Sequence, residues 1–229
     1  MPTETRPTAL VTGASKGVGA AIARALSATH DVLLGGRDAA ALDRLAAELP
    51  GARPWQVEIT DDAALAVACA DIERLEVLVH SAGVGDIGTI ADSTTQLWRS
   101  TFDINVVAVA ELTRLLLPAL RTARGHIVMI NSGAGFTARP GWGAYAASKF
   151  ALRALADSLR AEETALRVTS VHPGRIDTDM QRRVRTAEGG EYEADQYLTV
   201  ESVAAAVLTA VQAPADAHLT ELVLRPAVR

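Results

Sequence analysis

Short apolar runs rich in Val, Leu and Ile alternate along this chain with longer stretches in which apolar residues recur at helical spacing. This alternation is typical of βαβ units arranged around a parallel sheet. Residues 75–80 are almost continuously apolar, as expected of a central parallel strand covered by helices on both faces. The pattern predicts an α/β fold with a doubly wound parallel sheet of seven strands and helices on both faces.

The predicted strands span residues 8–11, 31–35, 53–58, 77–81, 126–131, 167–172 and 221–224. The predicted helices span residues 17–28, 39–49, 62–70, 94–120, 143–164 and 200–212, with Asp38 and Thr199 as N-caps. No linker or repeat divides the chain, so residues 1–229 are predicted to form one dinucleotide-binding and catalytic domain. Residues 177–198 are long, charged and irregular, which favours a substrate-binding lid or loop over a pair of helices.

Composition narrows the classes of function. The formal net charge of -5 argues against a nucleic-acid binder, because such proteins usually carry a basic excess. The single cysteine, Cys69, can form neither an intramolecular disulfide nor a multi-cysteine zinc site. No apolar run reaches the roughly 18 residues that span a bilayer, and the start of the sequence does not resemble a signal peptide. We therefore expect a soluble, cytoplasmic protein with no nucleic-acid or membrane partner.

A glycine-rich turn, Thr12-Gly13-Ala14-Ser15-Lys16-Gly17-Val18-Gly19, follows the first predicted strand directly and precedes a helical pattern. Glycines there let the backbone approach a pyrophosphate, whose charge the helix N-terminus favours. The turn alone is weak evidence, because close helix packing also uses glycine, but its position indicates a dinucleotide site. Arg37 follows the second predicted strand, at the place where a NAD site presents a carboxylate. Arg37 and Lys16 suit the 2′-phosphate of NADP, so NADP(H) is predicted over NAD(H).

Tyr145 and Lys149 are four residues apart on a predicted helix and therefore lie on one face. A phenol titrates near about pH 10, and a nearby ammonium group lowers that pKa, so Tyr145 can exchange a proton with a substrate hydroxyl or carbonyl. Such a pair is common by chance. Ser132, however, ends the fifth predicted strand, at the edge where open parallel sheets bind ligands. Its hydroxyl can stabilise charge on the substrate oxygen.

In their order and spacing these motifs resemble the short-chain dehydrogenase/reductase family, in its single-domain branch with TGxxxGxG and YxxxK motifs. The resemblance covers essentially the whole chain. It implies a Rossmann-type fold and an oxidoreductase, such as a carbonyl reductase, that transfers hydride between NADP(H) and a carbonyl or secondary alcohol. It also implies a homo-oligomer, dimer or tetramer, formed through the long helices after the fourth and fifth strands. The implied catalytic residues are Asn105, Ser132, Tyr145 and Lys149.

In the family, the lysine also holds the nicotinamide ribose and the asparagine supports a water bridge, roles that fall on Lys149 and Asn105. The sequence departs from the family at two places: His80-Ser81-Ala82-Gly83 replaces the usual Asn-Asn-Ala-Gly, and Glu58 stands where an aspartate often contacts adenine. The predicted cofactor contacts are Gly13, Ser15, Lys16, Gly17, Val18, Gly19, Arg37, Glu58, Ile59, Ser81, Ala82, Gly83, Tyr145, Lys149, Pro173, Gly174, Ile176 and Thr178. The predicted substrate contacts are Ser132, Phe136, Trp142, Tyr145 and Met180.

Other interpretations stay open. The first is a non-catalytic NADP(H)-binding redox sensor or regulatory protein on the same fold. A metal-dependent dehydrogenase is disfavoured, because His126, His172 and His218 match no metal-ligand spacing. His80 is disfavoured as a base because Tyr145 fills that role. The arginines of the lid fit either an acidic substrate or a solvated face; they are Arg182, Arg183 and Arg185.

Overall fold

The computed structural model describes residues 6–227, so residues 1–5 and 228–229 of the predicted domain lie outside the described part. Seven strands form one parallel sheet in the order β3-β2-β1-β4-β5-β6-β7. The strands are β1 (Thr8–Val11), β2 (Asp31–Gly36), β3 (Ala52–Gln56), β4 (Val77–His80), β5 (His126–Ile130), β6 (Arg167–Pro173) and β7 (Glu221–Leu224). The strand order reverses direction between β1 and β4, which creates the crevice where such sheets bind ligands. The predicted doubly wound, Rossmann-type fold is confirmed.

The helices are α1 (Gly17–Leu26), α2 (Ala39–Glu48), α3 (Asp62–Cys69), α4 (Thr95–Phe102), α5 (Ala108–Ala123), α6 (Gly143–Glu162), α7 (Asp179–Ala187) and α8 (Val200–Val211). Both predicted N-caps are confirmed: the Asp38 side chain accepts a hydrogen bond from the Ala41 amide, and the Thr199 hydroxyl accepts one from the Ser202 amide. No helix among residues 6–227 is long and apolar enough to cross a membrane.

Alternation along the central strands divides the core into two layers. Leu10, Leu78 and Ile127 are neighbours in register on β1, β4 and β5, and they pack in the layer that contains α5 and α6. The next residues along each strand, Val11, Val79 and Val128, point to the opposite face and pack in the layer that contains α1 and α8. With both faces covered, only the strand ends are free for ligands.

The predicted continuous helix over residues 94–120 is wrong in one respect. A π-helical turn, Asp103–Val107, separates α4 from α5. Asn105 lies in this turn with its side chain bonded to the backbone of Val84. A π-turn inserts a residue into the helix and re-aims the side chains there, often at functional sites. Periodicity does not reveal this insertion because the apolar pattern continues on both sides.

The expectation of an irregular lid over residues 177–198 is also wrong in part, because α7 forms there. Thr178 caps α7 by accepting a hydrogen bond from the Gln181 amide. Only Gln181 and Val184 of α7 are buried, so the helix contributes little to the apolar core. At its end, the Glu188 carboxylate accepts hydrogen bonds from Arg175 at 2.7 and 2.8 Å. The ion pair with Arg175 therefore ties the end of α7 to the segment that follows β6.

Cys69, at the end of α3, is buried against the core. Burial, together with the nearby charge of Glu111, raises the pKa of its thiol to about 11. The thiolate is the reactive form of cysteine, so this side chain behaves as a small apolar group.

Candidate active site

The glycine-rich turn lies at the carboxyl end of β1 and packs backbone against backbone. Gly13 has a φ of +67° and Gly17 a φ of +57°, a left-handed conformation that favours glycine. A Cβ atom on Gly13 would lie 2.9 Å from the backbone of Ala82, and one on Gly19 would lie 2.3 Å from the carbonyl oxygen of Gly13. Side chains at these positions would force the turn, α1 and the segment after β4 apart.

Thr12 braces the segment after β4. Its buried hydroxyl accepts hydrogen bonds from the amides of Ser81 at 3.0 Å and Ala82 at 3.1 Å, and donates to the carbonyl of Val79 at 3.3 Å. These bonds fix the backbone of residues 81 and 82 without the paired asparagines that the family usually has there. The small residues beside the glycine-rich turn are thereby held in place.

His80 is a structural residue. Its Nε2 lies 2.9 Å from the Thr113 hydroxyl, which itself donates to the carbonyl of Val109 at 2.7 Å, so Nε2 donates to Thr113. Burial lowers the pKa of His80 to about 3. The ring is therefore neutral at physiological pH and hydrogen-bonded towards α5, which gives no support to a role as base.

The start of α1 fits a dinucleotide pyrophosphate. Side chains cap α2, α3, α4, α7 and α8, whereas α1, like α6, has no side-chain cap. The first amides of α1, which point out of the helix, can meet an anion. Lys16 stands at this N-terminus, exposed, with Nζ 3.8 Å from a carboxylate oxygen of Asp179. A close backbone turn, an uncapped helix end and an exposed cation together suit a pyrophosphate.

Arg37 and Glu58 lie together at the ends of β2 and β3. Arg37 Nη1 donates to Glu58 Oε2 at 3.1 Å, while the Arg37 side chain stays 75% exposed. Burial raises the pKa of Glu58, but hydrogen bonds from Thr60 and Arg37 outweigh it and give a net lowering. The two residues predicted to contact the adenosine half are thus brought together as an ion pair on the rim of a shallow pocket.

Ser132, Tyr145 and Lys149 converge beyond the ends of β5 and β4. Lys149 Nζ donates to the carbonyl of Ile130 at 2.9 Å and lies 5.7 Å from the centroid of the Tyr145 ring. Lys149 is only 6% exposed, and burial lowers its pKa to about 8. The Ser132 hydroxyl accepts from the Ala134 amide at 3.1 Å, which leaves its own proton to donate. A proton donor, a second hydroxyl and a buried amine therefore share one site.

The pKa of Tyr145 moves in the direction opposite to the sequence-based expectation. Burial raises it, and a side-chain hydrogen bond with Ser132 lowers it by less. The ammonium group of Lys149 lies beside the ring but does not reverse the effect of burial. Tyr145 is accordingly a protonated donor at neutral pH in this structure, and the predicted lowering of its pKa by Lys149 is not observed.

Asn105 is fully engaged by protein groups. Its Oδ1 accepts from the Val84 amide at 2.9 Å, and its Nδ2 donates to the Val84 carbonyl and to Ser148 Oγ, both at 3.0 Å. Ser148 Oγ in turn donates to the carbonyl of Tyr145 at 2.7 Å. Asn105 therefore connects residues 83–85 with α6 and positions the Tyr145 backbone. Its role in a water bridge remains a prediction.

A cleft of about 660 Å³ opens beside Tyr145. Four predicted substrate contacts line it: Ser132, Trp142, Tyr145 and Met180. The Trp142 ring packs edge-to-face on the Tyr145 ring, with centroids 5.6 Å apart. A Cβ atom on Gly85 would lie 3.1 Å from Met180 Sδ and 3.3 Å from Tyr145 Cε2, so glycine there makes room for both side chains. Pro173, Gly174, Ile176 and Thr178, predicted to contact the nicotinamide half, line the same cleft.

Phe136 is the predicted substrate contact that the structure places elsewhere. It does not line the cleft; its ring lies 4.2 Å from the His172 ring and 4.5 Å from the Arg153 guanidinium. His172 is fully buried, and its Nδ1 donates to the carbonyl of Ser132 at 3.2 Å.

Among residues 6–227, no three His, Cys, Asp or Glu side chains form a group that could hold a metal.

Several cleft residues escaped prediction from sequence. They are Gly85, Gly133, Ala134, Thr137, Arg139, Arg175, Arg225 and Pro226, whereas Gln181, Val184, Arg185, Gln196 and Tyr197 belong to the predicted lid over residues 177–198. Arg225 follows β7, and the carboxyl ends of parallel strands meet at one edge, so its position in the chain was an available signal. The others depend on how residues 133–142 and α7 fold back over the cleft, which no local pattern indicates.

The family model for short chain dehydrogenases matches residues 7–189 of this sequence. The chain belongs to the short-chain dehydrogenase family. A mouse member, dehydrogenase/reductase SDR family member 7B, is 35% identical over 201 residues, and the match covers 81% of this chain and 62% of the mouse protein. An uncharacterised oxidoreductase of Staphylococcus epidermidis is 31% identical over 228 residues, 95% of this chain and 96% of its own length.

Among solved structures of short-chain dehydrogenases, a metagenomic short-chain oxidoreductase in complex with NADP matches with a TM-score of 0.83 at 28% identity. The match covers 98% of this chain and 99% of that one. The prediction that this chain is an oxidoreductase of the short-chain dehydrogenase family is therefore confirmed. The chain spans 62% of the length of the mouse short-chain dehydrogenase.

Proposed function

We propose that this chain is an NADP(H)-dependent oxidoreductase that interconverts a carbonyl compound and a secondary alcohol, with Tyr145 as the acid and base. The observation that carries the proposal is that Ser132 and Tyr145 line one cleft, with Lys149 Nζ 5.7 Å from the Tyr145 ring, at the sheet edge where α1 begins. When bound, the nicotinamide supplies or accepts the hydride. The chain's own residues manage the proton and the substrate oxygen.

In the direction of reduction, the Tyr145 hydroxyl gives its proton to the substrate oxygen. The raised pKa of Tyr145 keeps that proton in place until charge develops on the oxygen. The Ser132 hydroxyl donates a second hydrogen bond to the same oxygen. Lys149, with a pKa of about 8, is mostly protonated at neutral pH and stabilises the phenolate that remains. In oxidation the same groups act in reverse.

The proposed preference for NADP(H) depends on Arg37 and Lys16. Both are exposed cations close to the glycine-rich turn, and each is paired with a single carboxylate, Glu58 or Asp179. A guanidinium binds phosphate through two parallel hydrogen bonds, which an exposed ion pair does not prevent. The similar metagenomic oxidoreductase was solved in complex with NADP, which supports the same choice.

Replacing Tyr145 with phenylalanine tests the mechanism. We expect kcat/KM for NADPH-dependent reduction of aldehydes and ketones to fall about 10²–10⁴-fold, because the proton donor is lost. The NADPH dissociation constant, followed by fluorescence, should stay within about threefold. Tyr192→Phe is the matched control: Tyr192 bonds Asp177 outside the cleft, so this variant should keep wild-type turnover. Unchanged turnover in Tyr145→Phe would overturn the mechanism.

The same assay separates an enzyme from a redox sensor. A sensor would bind NADPH and turn over no carbonyl compound, whereas the proposed enzyme oxidises NADPH with some members of a mixed panel of aldehydes and ketones.

We also propose, following the family resemblance, that the protein is cytoplasmic and forms homo-oligomers.

A further inference from the structure

The cleft beside Tyr145 carries a concentration of positive charge. Four arginines line it, and within residues 6–227 no aspartate or glutamate does; the four are Arg139, Arg175, Arg185 and Arg225. The chain as a whole carries a net charge of -5, so the charge of the cleft is opposite in sign to that of the whole chain. A cleft lined by one sign of charge draws in ligands of the opposite sign.

Ion pairing leaves much of this charge uncompensated. Arg175 and Arg185 share one carboxylate, that of Glu188, at 2.7 and 2.9 Å. One positive charge is therefore left over from this group. Within residues 6–227, neither Arg139 nor Arg225 forms an ion pair with any carboxylate. The cleft thus keeps cationic groups free to bind an anion.

Arg225 is held directly beside the proposed oxygen-binding serine. Its Nη1 donates to the carbonyl of His172 at 3.1 Å and to that of Leu224 at 2.8 Å. Its Nη2 lies 3.2 Å from the position that a Cβ atom on Gly133 would take. Glycine after Ser132 therefore makes room for the guanidinium, which two backbone carbonyls orient without neutralising it.

A second guanidinium lines the cleft near Trp142. The guanidinium of Arg175 lies 5.9 Å from the Trp142 ring, which itself packs on the Tyr145 ring. Arg139 belongs to the segment between Ser132 and Tyr145 and is exposed at the rim of the cleft. Arg175 and Arg139 therefore line the same cleft as Ser132 and Tyr145, where the substrate oxygen would bind.

We propose that the substrate is an anionic carbonyl compound: an oxo compound whose carboxylate or phosphate group, a few bonds from the reacting carbonyl, is bound by Arg225 and Arg139. This inference rests on the proposed function and adds its substrate class. Guanidinium groups suit both anions because each offers two parallel oxygens. Trp142, Met180 and Val184 supply apolar surface for the carbon chain between the two groups.

The test compares matched anionic and neutral substrates with NADPH. One arm uses oxo carboxylates with two to six carbons between the groups, each beside its methyl ester. The other uses a phosphorylated hydroxyketone beside the free hydroxyketone. In at least one arm we expect kcat/KM to be about tenfold or more higher for the anion, as one charged hydrogen bond allows. That advantage should shrink with added salt, while the neutral partner is insensitive. The arm with the larger ratio identifies the anion.

Variants then assign the arginines. Arg139→Gln and Arg225→Gln should each lower the anion-to-neutral ratio about tenfold, through KM, and leave the NADPH dissociation constant within about threefold. Arg183→Gln is the matched control, because Arg183 is exposed on α7 outside the cleft and should keep the wild-type ratio. Should Arg225→Gln fail to fold, Arg139→Gln and Arg139→Glu still test the proposal, since Arg139 forms no ion pair within the described chain.

The outcomes separate the two proposals. Equal kcat/KM for anion and neutral partner in the wild type overturns the substrate class and leaves the proposed function standing. If Arg139→Gln and Arg225→Gln both keep the wild-type anion-to-neutral ratio of kcat/KM, the assignment to Arg139 and Arg225 is overturned. It is also overturned if these variants weaken only the binding of NADPH. Absence of NADPH oxidation with every compound, charged or neutral, overturns the proposed function itself.

Discussion

Buried histidines make the stability of this chain depend on pH. Burial lowers the pKa of His80 and of His126 to about 3 from 6.5, so the folded state takes up protons at these sites only at much lower pH than the unfolded state. Above pH 6.5 both histidines are neutral in the folded and the unfolded state, and burying them costs no protonation energy. As the pH falls from 6.5 towards 3, only the unfolded state gains protons, so the folded state loses stability.

We expect the free energy of unfolding to fall by about 2 kcal/mol for each of these histidines between pH 7 and pH 5. Replacing His80 with asparagine, which cannot protonate, should remove one such contribution. Urea unfolding of both proteins at the two pH values measures the difference. An identical pH dependence in His80→Asn would contradict the assignment.

For individual site residues, sequence motifs could predict which ones meet at the sheet edge, because the carboxyl ends of parallel strands lie there. Ser132, Tyr145 and Lys149 come together as the spacing indicates. Phe136 and Arg139 show the limit. Both lie between Ser132 and Tyr145, yet Phe136 packs behind the site and Arg139 lines the cleft. Side-chain direction in an irregular segment follows from tertiary packing, which single-sequence reasoning does not see.

Among the elements, α7 depends on ion pairs for its position. Glu188 holds both Arg175 and Arg185, and the hydrogen bond from Arg175 is the main cause that lowers the pKa of its carboxyl group. The pair is partly buried, so water screens it less than a surface pair. Because the carboxylate is ionised at neutral pH, this clamp on the lid persists there and weakens only in acid.

We expect Glu188→Gln to loosen the lid without unfolding the sheet. Trypsin cleavage after the arginines of α7 should become about tenfold faster, since cleavage follows the population of the open lid. Gel analysis of timed digests measures the rate. Glu191→Gln is the control, because Arg185 bonds the backbone carbonyl of Glu191. Equal rates in both variants would show that Glu188 does not hold α7.

Elements with a strong apolar period were predictable, and α7 and the π-turn were not. α7 is short, and only Met180, Val184 and Ala187 of its nine residues are apolar, too few to distinguish a helix from a charged loop. The π-turn is stabilised by Asn105 contacts to Val84, 21 residues away. Both features depend on interactions with distant segments, whereas periodicity reports only which face of a segment is apolar.

For the whole molecule, cofactor choice is a balance of charges at the adenosine end. We expect higher kcat/KM with NADPH than with NADH in the wild type, and the reverse in Arg37→Asp, with the ratio changing about 10- to 100-fold. Arg44→Asp, an exposed change on α2, should keep the wild-type ratio. A wild type that prefers NADH would contradict the role of Arg37.

Assembly is the second prediction at this scale. Val107 and Phe150, beside α5 and on α6, are 54% and 44% exposed, on the helices through which the family resemblance implies oligomers. Sedimentation should give two or four times the mass of one chain. Phe150→Asp should lower that mass, because a charge at an apolar contact costs desolvation. A wild type that sediments as a monomer would contradict the prediction.

The burial of Cys69 has a practical consequence. With its pKa at about 11, the thiol is almost entirely protonated at neutral pH and reacts slowly with maleimides. It is the chain's single cysteine, so a second one introduced at an exposed lid position such as Thr186 would carry a fluorophore selectively. Lid movement during turnover could then be followed by fluorescence in a protein whose native cysteine is left in place.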